Sequence, residues 1–359
     1  DVAWLFCTSG TTGKPKGAML THRNVTLAVL NMFADIYPYD MDDVALHAAP
    51  LTHGSGFGAL SVIAKGATNV ILEASSFDPE LVFAAIEKHR ITVLPFLAPT
   101  MVKRLVDSES IDRYDLNSLR CIIYGGAPMY VEDLVKGLKR FGNIFSQVYG
   151  QGESPMTISG LGLAEHDIND RDRLASAGRA RLGVQFRIQD DKGRELPPGE
   201  VGEIAVRGDT LMKGYWNNPE ATAETIRDGW LRTGDVGYVD EQGFLYILDR
   251  SKDMIISGGN NIYPREVEEV LLRHPAVSEV CVFGVPDPEW GESVKAVVVP
   301  KPGHEVSAEE LIAFCREHLA SYKKPKSVDF VSELPKNNYG KILKRDLRDR
   351  YWKDSIRKV

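Results

Sequence analysis

The sequence predicts an α/β protein: mostly parallel sheets covered by helices, a small antiparallel β subdomain, and an α+β C-terminal domain. Three observations predict it. Between residues 68 and 150 short apolar runs alternate with capped, amphipathic stretches, the pattern of strands feeding helices on both faces of a sheet. Between 171 and 249 strand patterns follow one another, punctuated by Asp191-Lys192-Gly193 and Glu241-Gln242-Gly243, which read as turns of an antiparallel sheet. From 253 onward a helix, two strands and a second helix follow in turn. The domain boundaries expected from these shifts are 1–170, 171–249 and 250–359.

In chain order, the apolar run 2–7 reads as a buried strand. It feeds Thr8-Ser9-Gly10-Thr11-Thr12-Gly13-Lys14-Pro15-Lys16-Gly17. Glycines bring backbone N–H groups close to an anion, and the hydroxyls and ammonium groups add donors, so a polyphosphate is the sensible ligand. It is not a Walker A loop. Only two residues separate Gly10 from Gly13-Lys14, and Pro15 stands where Ser or Thr is required. Thr21 opens an amphipathic helix to about Asp35. Ala49-Pro50-Leu51-Thr52-His53-Gly54-Ser55-Gly56 follows a short apolar strand. Strands are expected over 68–72, 91–96, 119–124 and 144–149, and helices after the Asp78-Pro79 cap and over 130–141. Ligands of such sheets bind at the carboxyl ends of the strands. Two loops stand at such ends: Tyr124-Gly125-Gly126-Ala127-Pro128 and Tyr149-Gly150-Gln151-Gly152-Glu153.

The antiparallel region carries Gly214-Tyr215-Trp216-Asn217-Asn218-Pro219-Glu220 and Gly229-Trp230-Leu231-Arg232-Thr233-Gly234-Asp235. The charged segment Leu248-Asp249-Arg250-Ser251-Lys252-Asp253 marks the boundary to the last domain. There, 264–274 is a helix, 278–285 and 294–300 are strands, and Ser307 with Glu310 forms a capping box. Leu334-Pro335-Lys336-Asn337-Asn338-Tyr339-Gly340-Lys341-Ile342 lies near the end.

Composition narrows the partners. The chain has 359 residues, 43% hydrophobic and 26% charged, with net charge −7; this is an ordinary globular balance that argues against nucleic acid. Its four cysteines (Cys7, Cys121, Cys281, Cys315) show no C-x-x-C and no metal spacing. A reducing, cytoplasmic setting is expected. No apolar run is long enough to span a membrane, and no signal peptide is read. The oligomeric state is not legible.

The stretch 8–17 closely resembles the phosphate-binding signature of the adenylate-forming superfamily: acyl-CoA synthetases, peptide-synthetase adenylation domains and firefly luciferases. About seven motifs follow in the family's order, so the resemblance covers the whole chain. Members carry a substantial segment before this loop, so the chain is expected to lack its N-terminal part. The resemblance implies that Thr8, Ser9, Gly10, Thr11, Thr12, Gly13 and Lys14 hold the ATP phosphates. His53 would lie beside the substrate carboxylate. Gly125, Gly126 and Ala127 would form the adenine face and one wall of the acyl pocket. Tyr149 would stack on adenine with Gly150 beside it, Gln147 would bond the adenine edge, and Glu153 would hold Mg²⁺. Asp235 would accept the ribose hydroxyls, Arg250 would contact ribose or phosphate, and Lys252 would be the hinge of a mobile C-terminal domain. Ser257, Gly258 and Gly259 would line a tunnel for CoA pantetheine, and Lys341 would be catalytic. Gly152 departs from the family's Thr, removing one hydroxyl from the phosphates. Lys323, Lys324 and Lys326 would meet CoA phosphates or form a solvated loop.

The implied activity joins a small-molecule carboxylic acid to CoA. The acid and ATP give acyl-adenylate and pyrophosphate, then the CoA thiol displaces AMP. The alternative is an adenylating enzyme that hands the acyl group to a carrier protein or another acceptor. A peptide-synthetase domain would need an acid near His53 for the substrate amine, and Thr52-His53-Gly54-Ser55 offers none. A luciferase-like oxygenase shares these motifs. A non-enzymatic interaction protein would be expected to have lost Lys341, Glu153 or Asp235, and all are present. Gly54, Gly56, Gly58 and the 125–127 stretch suggest a pocket left open by small residues, favouring fatty or aryl acids over acetate.

Overall fold

A computed structural model describes residues 1–8, 15–74, 76–336 and 342–352. The predicted loop residues Ser9 to Lys14, and Lys341, therefore lie outside the described residues. The chain divides into two units. One comprises Asp1–Thr233 and Gly237–Ile247, the other Gly234–Val236 and Leu248–Val359.

In the first unit, strands β1 (Val2–Thr8) and β2 (Lys16–Thr21) form an antiparallel hairpin around the predicted phosphate loop. The expectation of a buried β1 needs correcting. Exposure alternates along it, with Trp4 and Phe6 packed inward and Leu5 44% exposed. A two-stranded ribbon has one face on the core, so the apolar run marks a strand without marking two covered faces. Helix α1 (His22–Asp35) starts at Thr21 with a capping box to Asn24. Next come β3 (Val44–His47), α2 (Gly54–Ala64), β4 (Thr68–Ile71), α3 (Pro79–His89), β5 (Val93–Leu97) and α4 (Pro99–Val106). The Asp78 side chain caps α3 and Pro79 occupies its first turn, as the sequence predicts.

Strand β6 (Cys121–Gly125), α5 (Val131–Phe141), β7 (Phe145–Gln151), β8 (Ser154–Leu161), α6 (Arg171–Ala175) and β9 (Arg179–Ala180) complete the main sheet. Its order is β4-β3-β5-β6-β7-β8-β9, parallel from β4 to β7 and antiparallel at β8 and β9. Central strands β5 and β6 are buried at every position, as a sheet covered on both faces requires. The antiparallel β8 and the helical state of 54–64 were not predicted. A second sheet contains β10 (Val184–Gln189), β11 (Gly202–Gly208), β12 (Ile226–Arg227), β13 (Trp230–Val239) and β14 (Leu245–Arg250), with helix α7 (Pro219–Thr225) preceding β12.

The second unit contains β15 (Ile255–Ser257), β16 (Asn260–Ile262), α8 (Pro264–Leu272), β17 (Val277–Asp287), β18 (Gly291–Pro300), α9 (Ala308–His318), β19 (Ser327–Phe330) and α10 (Lys344–Trp352). Period-2 alternation along β17 builds two cores. Val280 and Val282 join the cluster containing Val267 and Leu271 of α8 and Leu311 of α9, while Cys281 and Phe283 join the one containing Leu347 of α10. The predicted capping box of Ser307 and Glu310 is present. Among the described residues, no helix is long and apolar enough to cross a membrane.

Candidate active site

The strand-end loops of the main sheet converge. Strand β6 ends at Gly125, and Gly126 follows with φ +79°. A Cβ at Gly125 would lie 2.2 Å from the Val148 carbonyl oxygen, and one at Gly126 would lie 3.2 Å from the Phe96 ring and 3.9 Å from His53. Those two glycines let this loop lie against β7 and against the His53 side chain. His53 occupies the N-cap position of α2. Its ring lies 6.2 Å from Phe6 and 5.9 Å from Phe96 between centroids. Trp4 and Phe57 extend the cluster, with centroids 5.8 Å apart. Phe6, Phe57 and Phe96 were not singled out from the sequence, because their strands and helix lie far apart along the chain.

The glycines of α2 do not open this space. A Cβ at Gly54 would lie 2.8 Å from the Phe96 ring, one at Gly58 3.2 Å from the Pro95 carbonyl, and one at Gly56 1.8 Å from the Leu51 carbonyl. They allow α2 to sit close on β5 and to fold over its own entry turn. The open-pocket reading of Gly54, Gly56 and Gly58 is therefore corrected: what faces the cluster is aromatic.

Strand β7 turns into β8 through Gly152 and Glu153, with Gln151 paired to Ser154. A Cβ at Gly150 would lie 2.4 Å from both the Met156 nitrogen and the Ser154 carbonyl. The residue therefore serves a backbone crossing. A Cβ at Gly152 would lie 2.2 Å from the Thr8 methyl carbon and 3.0 Å from the Phe6 ring. So the departure from the family's Thr has a local cause: Thr8 and Phe6 fill the space. Glu153 is buried; its backbone carbonyl accepts from the Met212 N–H at 2.8 Å, and its side-chain Oε1 accepts from the Tyr215 hydroxyl at 2.5 Å. Burial, then the Glu153 carboxylate, pushes the Tyr215 phenol above its ordinary range and keeps it protonated. Lys16 sits over the Tyr215 ring, 4.9 Å from its centroid.

Gln147 lies on β7, and its Oε1 is buried with no hydrogen-bond partner; it is an acceptor that a ligand's amino group would satisfy. One strand over, Tyr124 precedes Gly125, and its hydroxyl lies 3.0 Å from His166 Nε2. His166 Nδ1 lies 2.8 Å from the Gly162 carbonyl. A carbonyl only accepts, so Nδ1 carries the proton and Nε2 accepts from Tyr124. Burial holds His166 neutral, lowering its pKa to about 4. Thus Thr8, His53, Gly126, Gly152, Glu153, Tyr215 and Lys16 form one contiguous cluster, bridged by Phe6. No group of three or more His, Cys, Asp or Glu side chains poised for a metal exists among the described residues.

The second unit carries the other candidates. Asp235 is buried, and its Oδ1 lies 3.4 Å from Arg250 Nε. Asp249 accepts from the backbone N–H groups of Arg250 at 2.7 Å and Arg265 at 3.4 Å. Lys344 of α10 reaches Glu268 at 3.3 Å and Asp249 at 3.8 Å. Arg348 donates to the carbonyl of Lys252 at 3.4 Å, so α10 is tied to the segment expected to hinge. Ser257, Gly258, Gly259 and Asn260 form the β15–β16 turn, with Ser257 paired to Asn260 and φ of +57° and +81° at the glycines. The basic cluster is largely neutralised: Lys323 binds both Glu266 oxygens at 2.7 Å and Lys326 binds Asp287 at 3.0 Å.

Comparison with known proteins shows the family. A family model described as AMP-binding enzyme matches residues 1–216, and one described as AMP-binding enzyme C-terminal domain matches 266–341. The chain is 45% identical over 353 residues to a feruloyl-CoA synthase of Amycolatopsis sp, covering 98% of this chain and 70% of that protein. It is 41% identical over 367 residues to the medium/long-chain-fatty-acid–CoA ligase FadD8 of Mycobacterium tuberculosis, covering 100% of this chain and 63% of that one. The amide bond synthetase McbA of Marinactinospora thermotolerans has the same fold, with TM-score 0.90, 38% identity and coverage of 98% of this chain and 69% of that one. The chain belongs to the AMP-binding enzyme family, the adenylate-forming superfamily that its motifs resemble.

Proposed function

We propose that this chain is the greater part of an AMP-forming acid–CoA ligase that activates a fatty or aryl acid as its acyl-adenylate, releases pyrophosphate, and passes the acyl group to the CoA thiol. One observation carries the reading: Thr8, where the predicted phosphate loop begins, packs on Gly152 next to the buried carboxylate of Glu153. This neighbourhood supports a site in which phosphate donors and a hard oxygen ligand act together. A single carboxylate beside a phosphate-binding loop suits Mg²⁺, which binds through one or two carboxylates together with substrate phosphates. Bound there, Mg²⁺ would offset the charge of the nucleotide phosphates.

The chain's own residues would do the rest. Thr8 and the loop 9–14 hold the β- and γ-phosphates. Gln147 Oε1 accepts from the adenine amino group, and Gly125, Gly126, Ala127, Tyr149 and Gly150 give its ring a flat seat. Asp235, with Arg250 beside it, takes the ribose. His53 orients the acid carboxylate, and Phe6, Phe57, Phe96 and Trp4 present the apolar surface that a fatty or aryl group requires. Carboxylate and phosphate repel each other, so Lys341 supplies positive charge where they meet. Lys252 is the hinge, and Ser257, Gly258 and Gly259 let narrow pantetheine pass. The free cysteines, of which Cys121, Cys281 and Cys315 are buried, suit a reducing cytoplasm.

The test is pyrophosphate release over short, medium, long-chain and aryl acids, with and without CoA. Release with consumption of CoA supports the proposal. Adenylate formation without CoA consumption moves the acceptor to a carrier protein or an amine, the alternative that the likeness to McbA favours. Lys341→Ala is expected to cut adenylation on the order of 10²–10³-fold while sparing CoA acylation from a supplied acyl-adenylate. Equal loss in both halves removes the division of labour. Lys252→Pro, which fixes φ, is expected to keep the acyl-adenylate burst and lose turnover.

A further inference from the structure

Tyr215 has no role in the reading above. Yet its phenol is the group that fixes Glu153. Every part of the residue is held. Its backbone bridges to Ala18, its N–H donates to Thr222 Oγ1 at 2.9 Å, and the next N–H, of Trp216, donates to the Gly17 carbonyl at 2.8 Å. Met19 and Lys213 add N–H bonds in both directions, Met19 to the Gly214 carbonyl at 2.9 Å and Lys213 to the Met19 carbonyl at 2.8 Å. The residue is thus fastened along β2, the strand that leaves the predicted phosphate loop. Lys16 at the start of β2 covers the ring at 4.9 Å. The phenol donates to Glu153 Oε1 at 2.5 Å.

We infer that Tyr215 is a positioning residue: its phenol holds the Glu153 carboxylate, through Oε1, in the orientation that offers Oε2 to the nucleotide-bound divalent cation, and its attachment to β2 fixes the phenol that holds it. This rests on reading Glu153 as the cation-holding carboxylate. Physically, a carboxylate has about four lone-pair sites. One charge-assisted bond at Oε1 removes rotational freedom while leaving Oε2 available. The partners that orient a ligating carboxylate typically account for 10–100-fold in metal affinity. Sequence offers no sign of the pair, since 62 positions separate them.

The experiment measures binding of Mn²⁺ with ATP by electron paramagnetic resonance, and of metal-free ATP by calorimetry, on the purified protein and on Tyr215→Phe, Glu153→Gln and the double variant. Tyr215→Phe is expected to weaken Mn²⁺ binding in the presence of ATP by about 10-fold. Metal-free ATP binding and the KM for the acid should stay unchanged. The double variant should bind Mn²⁺ no more weakly than Glu153→Gln. Tyr215→Met, which also removes the phenol, should weaken Mn²⁺ binding in the same direction, and it serves if Tyr215→Phe does not fold. If Glu153→Gln weakens Mn²⁺ while Tyr215→Phe and Tyr215→Met do not, the phenol is packing and the inference falls alone. If Tyr215→Phe weakens metal-free ATP binding as much, its role is general to the fold and the inference falls. Unchanged Mn²⁺ binding in Glu153→Gln overturns the cation assignment of Glu153 and this inference with it.

Discussion

Helix α2 and the β15–β16 turn both spend glycines, and the reasons differ. In α2 the neighbours exclude a side chain: a Cβ at Gly56 would lie 1.8 Å from the Leu51 carbonyl and one at Gly54 2.8 Å from the Phe96 ring. In the turn the backbone demands glycine. Gly259 has φ +81°, and a Cβ there would meet nothing within 4 Å. The first kind of glycine closes space by letting elements approach, and the second leaves space outside the fold. Reading glycines as an opening for ligand therefore fails for α2, and substituting each kind should break different properties.

The largest effect is expected at Gly56. The obstacle is backbone, which has no rotamer to escape into, so Gly56→Ala should cost about 3 kcal/mol or more. Urea denaturation measures it; a loss below about 1 kcal/mol would mean that the entry turn of α2 yields.

His166 gives the same close packing a pH signature. Its folded pKa is about 4 against an ordinary 6.5, because burial disfavours the imidazolium. The unfolded chain therefore takes up a proton that the folded one refuses. The stabilisation is present above pH 6.5 and lost as pH falls toward 4, up to about 3 kcal/mol. The stability gap between the parent protein and His166→Gln should shrink over that window. A gap that stays constant would show that water reaches this histidine.

At Gly54 the obstacle is a side chain, so the effect should be smaller and repairable. Gly54→Ala is expected to cost about 1–3 kcal/mol. Phe96→Leu in the same chain should recover part of that, a coupling of about 0.5 kcal/mol or more. Strict additivity would remove Phe96 as the constraint.

The smallest stability effect is expected at Gly259. Either Gly259→Ala or Gly259→Leu should cost about 1–2 kcal/mol, the left-handed backbone penalty alone. They should part in function. Leu is expected to abolish acyl-CoA formation while pyrophosphate exchange with ATP persists, and Ala should retain both. Equal acyl-CoA rates in the two variants would make the turn purely architectural.

Much of the fold was legible because its signals are local. Caps at Thr21, Asp78 and Ser307 announce helices through short-range hydrogen bonds, and apolar runs announce β5 and β6. The helical state of α2 was hidden by three glycines, residues poor at forming isolated helices, which packing on β5 overrides. Antiparallel β8 was hidden because its burial on both faces, seven buried residues of eight, comes from neighbours far along the chain. The same division holds at the candidate site. Glu153, Asp235 and the glycine loops stand in recognisable strings, whereas Phe96, Phe6 and Tyr215 acquire meaning only by what they touch.

By itself the amino-acid sequence determined the α/β class, many of the elements and the family's motifs, since these depend on periodicity, turn chemistry and residue types within a few positions. Tertiary structure alone decided that α2 is packed shut on β5, that Gly152 leaves room for Thr8 and Phe6, and that the Tyr215 phenol holds Glu153. Each is a contact between segments distant in the chain, set by steric exclusion or by one directional hydrogen bond. Neither leaves a trace in local composition.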